Sequence, residues 1–202
     1  INMESISDKD IDGLIFTGLV GMKDPPRDGI KESINRAKNA GLRIIMKTGD
    51  HKETAVAIAR EIGLVEGSEV RVMTEDELEK LSDTEFKKAV RKVNVFARVT
   101  PKMKLKIVQT LQSQGEIVAM TGDGINDALA LKKSDIGISM GKIGTDIARE
   151  SSEMVLADDD FSSIVDAIEE GRTVFRNVRR TSFYLITTNI AEDVTIVGSL
   201  MM

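Results

Sequence analysis

Short apolar runs alternate with amphipathic segments along most of the chain. The run at 42–46 is bounded by turn residues, which predicts a buried strand, whereas apolar residues at positions 30, 34 and 37 repeat with the spacing of a helix. Such alternation is typical of a parallel sheet with ligands at the carboxyl ends of its strands. The predicted strands are 14–22, 42–46, 93–97, 116–121, 135–139 and 154–156, and the predicted helices are 28–40, 51–62, 75–81, 83–90, 146–151 and the segments after Pro101 and Asn126.

The C-terminal pattern is different. Residues 162–180 are polar and amphipathic with several arginines, and residues 181–202 are largely apolar. Arginines at the foot of an apolar segment that is long enough to span about 30 Å of hydrocarbon predict a transmembrane helix, with residues 1–180 in the cytoplasm. A basic amphipathic helix that lies on the membrane surface is the alternative. Membrane lipid is therefore an expected partner.

Composition narrows the classes of function. The net charge of −5 and the aromatic content of 3% give no reason to expect a nucleic acid partner. The chain has no cysteine, which excludes disulfides and thiolate metal sites, and its single histidine, His51, cannot build a zinc site. A reducing, cytoplasmic setting fits this composition.

The loop that follows the predicted strand 116–121 carries the clearest chemistry. Gly122 and Gly124 allow the backbone to approach a ligand closely, and the helix start that follows favours an anion. Asp123 would repel a phosphate unless a divalent cation lay between them, and Mg²⁺ takes one or two carboxylates together with phosphate oxygens. The loop therefore predicts a Mg²⁺–phosphate site, with a glycine–aspartate turn before a helix as the alternative.

Other candidates lie at the ends of the predicted elements. Thr48 and Asp50 follow the strand at 42–46, although Asp50 could simply cap the next helix. Three lysines, at positions 102, 104 and 106, are candidates for phosphate contact. The acidic run at 158–160 could be a nucleophile loop, but its place after the other motifs favours a helix cap.

These strings together resemble the P-type cation-transporting ATPases, of the calcium and sodium-potassium subgroup. The resemblance includes D-P-P-R at 24–27, R-V-T-P-K-M-K at 98–104, T-G-D-G-I-N-D at 121–127, D-D-D-F-S-S-I at 158–164 and Y-L-I-T-T-N-I-A-E at 184–192. It implies an α/β fold, a Rossmann-like parallel sheet of haloacid-dehalogenase type. The central strand of that sheet, with the phosphorylated aspartate in D-K-T-G-T, is absent from this sequence, and a long helix running into a transmembrane segment follows the sheet.

The resemblance also implies how the chain is divided. Residues 1–23 would be the tail of a nucleotide domain with a hinge strand, and 24–160 the phosphorylation domain. Residues 161–180 would be a cytoplasmic stalk helix, and 181–202 a truncated transmembrane helix. The partners would be ATP, a transported cation and the upstream and downstream parts of the same pump, and the chain alone is expected to be inactive because it has no nucleophile.

The resemblance assigns roles to single residues. It selects Lys104 among the three lysines, and Asp123 would bind Mg²⁺ together with the absent aspartate. ATP would be the nucleotide ligand. Residues expected to hold the phosphoryl group or order its surroundings are Thr48, Gly49, Lys104, Asn126 and Asp127, and those expected near the nucleotide are Asp24, Arg27 and Asp50.

The apolar C-terminal segment carries a possible cation site. Asn189 and Glu192 are three residues apart and so share a helix face, and an ionisable group in a membrane usually has a function. The resemblance implies that they bind the transported cation, while Asp193, where an apolar residue is usual, leaves Ca²⁺ and a monovalent ion open. The rival functions are a soluble haloacid-dehalogenase-type phosphatase and a non-catalytic phosphate-binding module.

Overall fold

The computed structural model describes residues 15–21, 25–65, 67 and 70–201. Its centre consists of two three-stranded sheets in which every strand pair is parallel. The predicted α/β class with a parallel sheet is therefore confirmed. The sheet is divided into two halves, each flanked by helices.

The first sheet has the order β1-β3-β2. Its central strand β3 is buried at all three positions, which explains the uninterrupted apolar sequence there. The strands are β1 (Met46–Lys47), β2 (Val72–Thr74) and β3 (Val95–Ala97), and the helices of this half are α1 (Ile30–Asn39), α2 (Lys52–Glu61), α3 (Glu75–Glu79) and α4 (Asp83–Lys92).

The second sheet has the order β4-β5-β6. Its strands are β4 (Ala119–Gly122), β5 (Ile136–Met140) and β6 (Met154–Leu156). The helices of this half are α5 (Pro101–Ser113), a 3₁₀ turn (Ile125–Asp127), α6 (Ala128–Lys133), α7 (Asp146–Glu150) and α8 (Phe161–Leu200).

Helix α5 joins the two halves because its apolar side chains reach both of them. Met103, Ile107 and Leu111 pack with Phe96 of the first half, whereas Val108 packs with buried side chains of β4 and α6. The helix begins at Pro101, directly after Thr100, whose hydroxyl accepts a hydrogen bond from the Met103 N–H. A side-chain cap followed by proline is a strong helix start. The local sequence therefore determines where α5 begins, and this start places Lys104 in the first turn of the helix.

The facing edges of the two sheets are β1 and β4. Among the described strands, β1 pairs only with β3, and β4 pairs only with β5. The Lys47 Nζ lies 3.3 Å from the Thr121 carbonyl oxygen, so a side chain crosses between these edges. In the described part of the chain, the inner edges of the two half-sheets thus have no strand partner. This arrangement agrees with the prediction that the central strand is absent from this sequence.

Three details of the predicted elements are wrong. The hinge strand at 14–22 is not formed over residues 15–21, which are exposed and have no strand partner within the described chain; Leu14 and Met22 lie outside the described residues. The strand predicted at 42–46 overlaps β1 (Met46–Lys47) at Met46 alone, because its partner β3 begins at Val95, opposite Met46. The region 66–91, predicted to be peripheral, contributes β2 to the first sheet.

Helix α8 runs as one helix from Phe161 to Leu200. This confirms the predicted long C-terminal helix, and no break separates the proposed stalk from the segment after Arg180. Across the described residues, no helix has both the length and the apolar character that a membrane crossing requires. The transmembrane helix predicted at 181–202 is not supported on this point, because Asn189, Glu192 and Asp193 interrupt its apolar sequence.

Candidate functional site

The candidate site lies where β1 and β4 end. Thr48 follows β1, and Gly122 ends β4, with Asp123 directly after it. The Lys47 Nζ contacts the Thr121 carbonyl oxygen and the Asp127 Oδ1, so the ends of the two strands lie next to each other. Lys104 in the first turn of α5 and Asp127 at the end of the 3₁₀ turn complete the group.

Asp127 is the buried centre of this group, with 7% of its surface exposed. Its Oδ1 accepts hydrogen bonds from Lys104 Nζ at 3.0 Å and from Lys47 Nζ at 3.5 Å. The 3₁₀ turn fixes Asp127, since its N–H donates to the Gly124 carbonyl at 3.0 Å. The predicted site residues Lys104 and Asp127 are therefore in direct contact.

Gly122 is required at the end of β4 by the close approach of Asp127. A Cβ atom at this position would lie 2.5 Å from the Asp127 Cβ and 2.9 Å from its Cγ. Any side chain at position 122 would push Asp127 out of place. The first glycine of the G-D-G string thus serves the packing of the carboxylate, in addition to any ligand.

Thr48 and Asp50 form a closed turn. The Thr48 hydroxyl donates to Asp50 Oδ2 at 2.8 Å, and the Asp50 N–H donates to the Thr48 Oγ1 at 3.1 Å. Helix α2 has His51 as its N-cap, without a side-chain cap. Asp50 therefore does not cap this helix, and its carboxylate orients the Thr48 hydroxyl. Gly49 lies within this turn.

Asp123 and Asn126 are exposed at the mouth of the site. The Asp123 carbonyl accepts a hydrogen bond from the Thr145 N–H at 2.8 Å, which ties the loop to the start of α7. The described residues hold no group of three or more His, Cys, Asp or Glu side chains that could bind a metal. One exposed carboxylate fits Mg²⁺ in part, because this ion also accepts water, phosphate oxygens and a second carboxylate.

The predicted nucleotide residues are not all brought together. Asp24 lies outside the described residues. The Arg27 guanidinium donates to the Asp159 carbonyl at 2.6 Å, so Arg27 connects the segment before α1 to the loop after β6. Asp50 contacts a predicted phosphate residue, Thr48, whereas among the described residues Arg27 does not.

The acidic run at 158–160 is structural. Asp160 Oδ1 accepts a hydrogen bond from the Ser162 N–H at 2.8 Å and caps α8, as the favoured interpretation predicted. Asp159 accepts hydrogen bonds from three backbone N–H groups, those of Gly141, Lys142 and Ile143. These hydrogen bonds lower the pKa of Asp159, and the bond from the Lys142 N–H has the largest effect.

Asn189 and Glu192 lie on the second half of α8, where both are exposed. Their spacing places them about one turn apart on this helix. Both residues are far in sequence from the predicted phosphate-binding residues, which end at Asp127.

Sequence reasoning missed Lys47. Lys47 lies partly buried beside Asp127, and desolvation lowers its pKa to about 8 against the opposing attraction of Asp127. A lysine at the end of an apolar run, directly before T-G-D, was the available signal. Arg98, directly after β3, has a positive φ of 53°, and its Nη2 donates to the His51 Nε2 at 2.9 Å. Nothing in its sequence context marks that conformation.

Comparison with known proteins gives concordant matches. The sequence profile of haloacid dehalogenase-like hydrolases matches residues 5–135. The chain is 48% identical over 200 residues, 97% of its length, to calcium-transporting ATPase 1 of Bacillus cereus. It is 50% identical over 182 residues, 90% of its length, to calcium-transporting ATPase 1 of Saccharomyces cerevisiae.

A solved structure is also similar. A zinc-transporting PIB-type ATPase in the E2.Pi state matches 78% of this chain and 21% of its own chain, with a TM-score of 0.60 and 30% identity. The chain spans 22% and 19% of the two curated relatives. These similarities confirm the predicted resemblance to P-type cation-transporting ATPases.

Proposed function

Because the chain belongs to the haloacid dehalogenase-like hydrolases, we propose that it supplies the phosphate- and Mg²⁺-binding residues of an ATP-driven cation pump that forms an aspartyl-phosphate. The observation that carries this proposal is the contact of Lys104 with Asp127, next to the exposed carboxylate of Asp123. An ammonium group held at the carboxyl ends of parallel strands is suited to neutralise a phosphoryl group.

The transferred phosphoryl group is held mainly by positioning and by charge. Lys104 donates to a phosphoryl oxygen while Asp127 keeps its side chain oriented. The Gly49 N–H and Asn126 donate to the remaining oxygens. Fixed donors of this type stabilise the charge that develops during transfer without having to reorganise. The single hydroxyl proton of Thr48 is given to Asp50 in this structure, so the hydroxyl would have to turn away from that carboxylate to donate to a phosphoryl oxygen.

Asp123 is the residue of this chain that would hold Mg²⁺. The ion supplies charge neutralisation at the phosphate oxygens. A second carboxylate, from an aspartate in a D-K-T-G-T strand, would share the ion. Asp127 would order the surroundings of both groups without being a ligand itself.

The free edges of β1 and β4 support the proposal that the nucleophile strand enters between them. A parallel strand placed there would bring its carboxyl end to the loops that carry Thr48 and Asp123. The chain by itself would then neither hydrolyse ATP nor take up phosphate covalently, because it lacks the attacked carboxylate.

Nucleotide contact is proposed for Asp24, Arg27 and Asp50. Asp50 is supported by its place beside Thr48. Arg27, whose guanidinium is engaged by the Asp159 carbonyl, would act by fixing the direction of the segment that leads to the nucleotide domain. In this proposal ATP bridges that domain and the site.

The transported cation is proposed to bind at Asn189 and Glu192. Carboxylate and amide oxygens are suitable ligands for a hard cation such as Ca²⁺. The names of the relatives from Bacillus cereus and Saccharomyces cerevisiae favour Ca²⁺ over a monovalent ion. The longer pump would lie in the cell membrane in multiple passes, with residues 1–180 in the cytoplasm.

Labelling with [γ-³²P]ATP and Mg²⁺ tests the proposal. The chain alone should remain unlabelled, whereas a longer protein that contains the D-K-T-G-T strand should form a hydroxylamine-sensitive phosphoenzyme. Hydrolysis of p-nitrophenyl phosphate by the chain alone would contradict the proposal and favour a soluble phosphatase. In the longer protein, Glu192→Gln should weaken activation of phosphorylation by Ca²⁺ and leave phosphorylation from inorganic phosphate possible.

A further inference from the structure

Lys47 is a partly buried cation with no role in the proposed function. It is the last residue of β1, and 18% of its side chain is exposed. Its Nζ lies 3.3 Å from the Thr121 carbonyl oxygen and 3.5 Å from the Asp127 Oδ1. Lys47 therefore reaches from the first half-sheet to the second, and ends next to the buried carboxylate of the candidate site.

The face of the first sheet on which the Lys47 side chain lies follows from the alternation of side chains along β1 and the residues before it. Ile45 packs against the cluster that contains Met103 of α5, whereas Met46 packs against the cluster under α2. Since successive residues of an extended segment point to opposite faces, Lys47 lies on the same face as Ile45. That is the face on which α5 presents Lys104. The approach of the two ammonium groups is thus set by the backbone.

Lys47 changes the charge of the buried group. Lys104 Nζ lies 3.0 Å from the same Asp127 oxygen that Lys47 approaches. Two ammonium groups on one carboxylate leave a net charge of +1, whereas Lys104 and Asp127 alone would be neutral. Ammonium groups carry three donors each, and the two contacts of Lys47 are long, so its charge is only partly used by the protein.

We propose that Lys47 is a positioning residue of the phosphate site: it shares the negative charge of Asp127 and so leaves the Lys104 ammonium free to attract a phosphate dianion. The inference rests on the proposed function, because it assumes that Lys104 contacts phosphate. The groups that face Lys47 are Asp127, Lys104 and Asp123. At neutral pH the charged form of Lys47 prevails, because its pKa is lowered only to about 8.

The test is the binding of inorganic phosphate to this chain at pH 7 with Mg²⁺, measured by calorimetry and by ³¹P line broadening. Lys47→Met removes the charge and nearly keeps the length of the side chain. It should weaken phosphate binding by roughly tenfold, as expected for the loss of one charge in a partly buried site. Lys47→Arg should restore most of the affinity. Lys106→Met is the matched control, since Lys106 is on the exposed side of α5 over the Phe86 ring and its loss should leave binding unchanged.

The outcomes separate this inference from the proposed function. Equal phosphate affinity of the wild-type chain and Lys47→Met would overturn the role of Lys47 alone. An equal loss in Lys47→Met and Lys47→Arg would also overturn it, because the effect would then follow packing and not charge. Absence of phosphate binding by the wild-type chain would overturn both proposals. Circular dichroism and Tm of each variant establish that it is folded, and Lys47→Gln is a second neutral variant.

Discussion

Two buried aspartates of this chain are held in opposite ways. Asp159 accepts hydrogen bonds from three backbone N–H groups, at 2.6, 3.0 and 3.0 Å, in the loop after β5. Asp127 is held by two lysine side chains, at 3.0 and 3.5 Å. Backbone donors are fixed by the chain, whereas ammonium groups can turn to another anion. Burial and pairing alone therefore do not mark a site, whereas side-chain partners that are able to bind another anion favour one.

The largest effect is expected for Asp123, the exposed carboxylate of the candidate site that also contains Asp127. In a longer protein with the nucleophile strand, Asp123→Asn should lower the rate of phosphorylation from ATP by about 100-fold or more, because a metal-held charge is worth several kcal/mol in the transition state. The Tm should stay within about 2 °C of wild type, since Asp123 is exposed.

Asp146→Asn is the matched control for that experiment. Asp146 is also exposed, in the first turn of α7, where it pairs with Arg149. Its substitution should leave phosphorylation unchanged. A normal phosphorylation rate in Asp123→Asn, with unchanged Mg²⁺ dependence, would remove Asp123 from the metal site.

The opposite pattern is expected at Asp159. Asp159→Ala removes the acceptor of the Lys142 and Ile143 N–H groups, leaves the Gly141 N–H with the Leu156 carbonyl alone, and keeps a non-glycine residue at a positive φ of 60°. We expect the Tm of this chain to fall by about 5 °C or more, since each unpaired donor is costly. Differential scanning calorimetry measures the shift. A Tm equal to that of wild type would show that the carboxylate is not what holds this loop.

A smaller effect of opposite sign is expected at Lys47. Its pKa falls from 10.5 to about 8, chiefly through burial, so the unfolded chain binds more protons than the folded chain between these pH values. Stability should therefore rise with pH from about 8 to 10.5, and the cost of burying the charge is fully present below pH 8. Lys47→Met should raise the free energy of unfolding at pH 7 by roughly 1–3 kcal/mol.

Urea unfolding of both proteins between pH 7 and 10 measures this effect. The difference between Lys47→Met and wild type should shrink as the pH rises. A difference that is constant over this range would mean that packing of the methionine, and not removal of the charge, is responsible.

The smallest effect is expected for Arg27. Its guanidinium donates to the Asp159 carbonyl, and this hydrogen bond connects the segment before α1 to Asp159. Arg27→Met should lower the free energy of unfolding by about 1 kcal/mol or less, because Arg27 is otherwise exposed. Hydrogen exchange of the α1 amides should increase in this variant. Unchanged exchange there would mean that the contact does not anchor the segment.

The sequence predicted much of the fold where local signals were strong. The strand at 154–156 matches β6 residue for residue, and Pro101 marks the start of α5. The prediction was poorer where pairing decides the length of a strand. Residues 42–45 are apolar except for Arg43, yet only Met46 and Lys47 pair, because β3 begins at Val95, opposite Met46. The short β2 was missed because its neighbours are charged.

The sequence by itself determined the chemistry of this chain: which residue types follow each strand, and the order of the strings that relate it to P-type ATPases. Those properties are local, so they can be read along the chain. Only the tertiary structure decided that Lys47 and Lys104, from different halves, meet on one Asp127 oxygen, and that Asp159 is bound by backbone donors. Contacts between distant segments depend on how sheets and helices pack, and no local pattern encodes them.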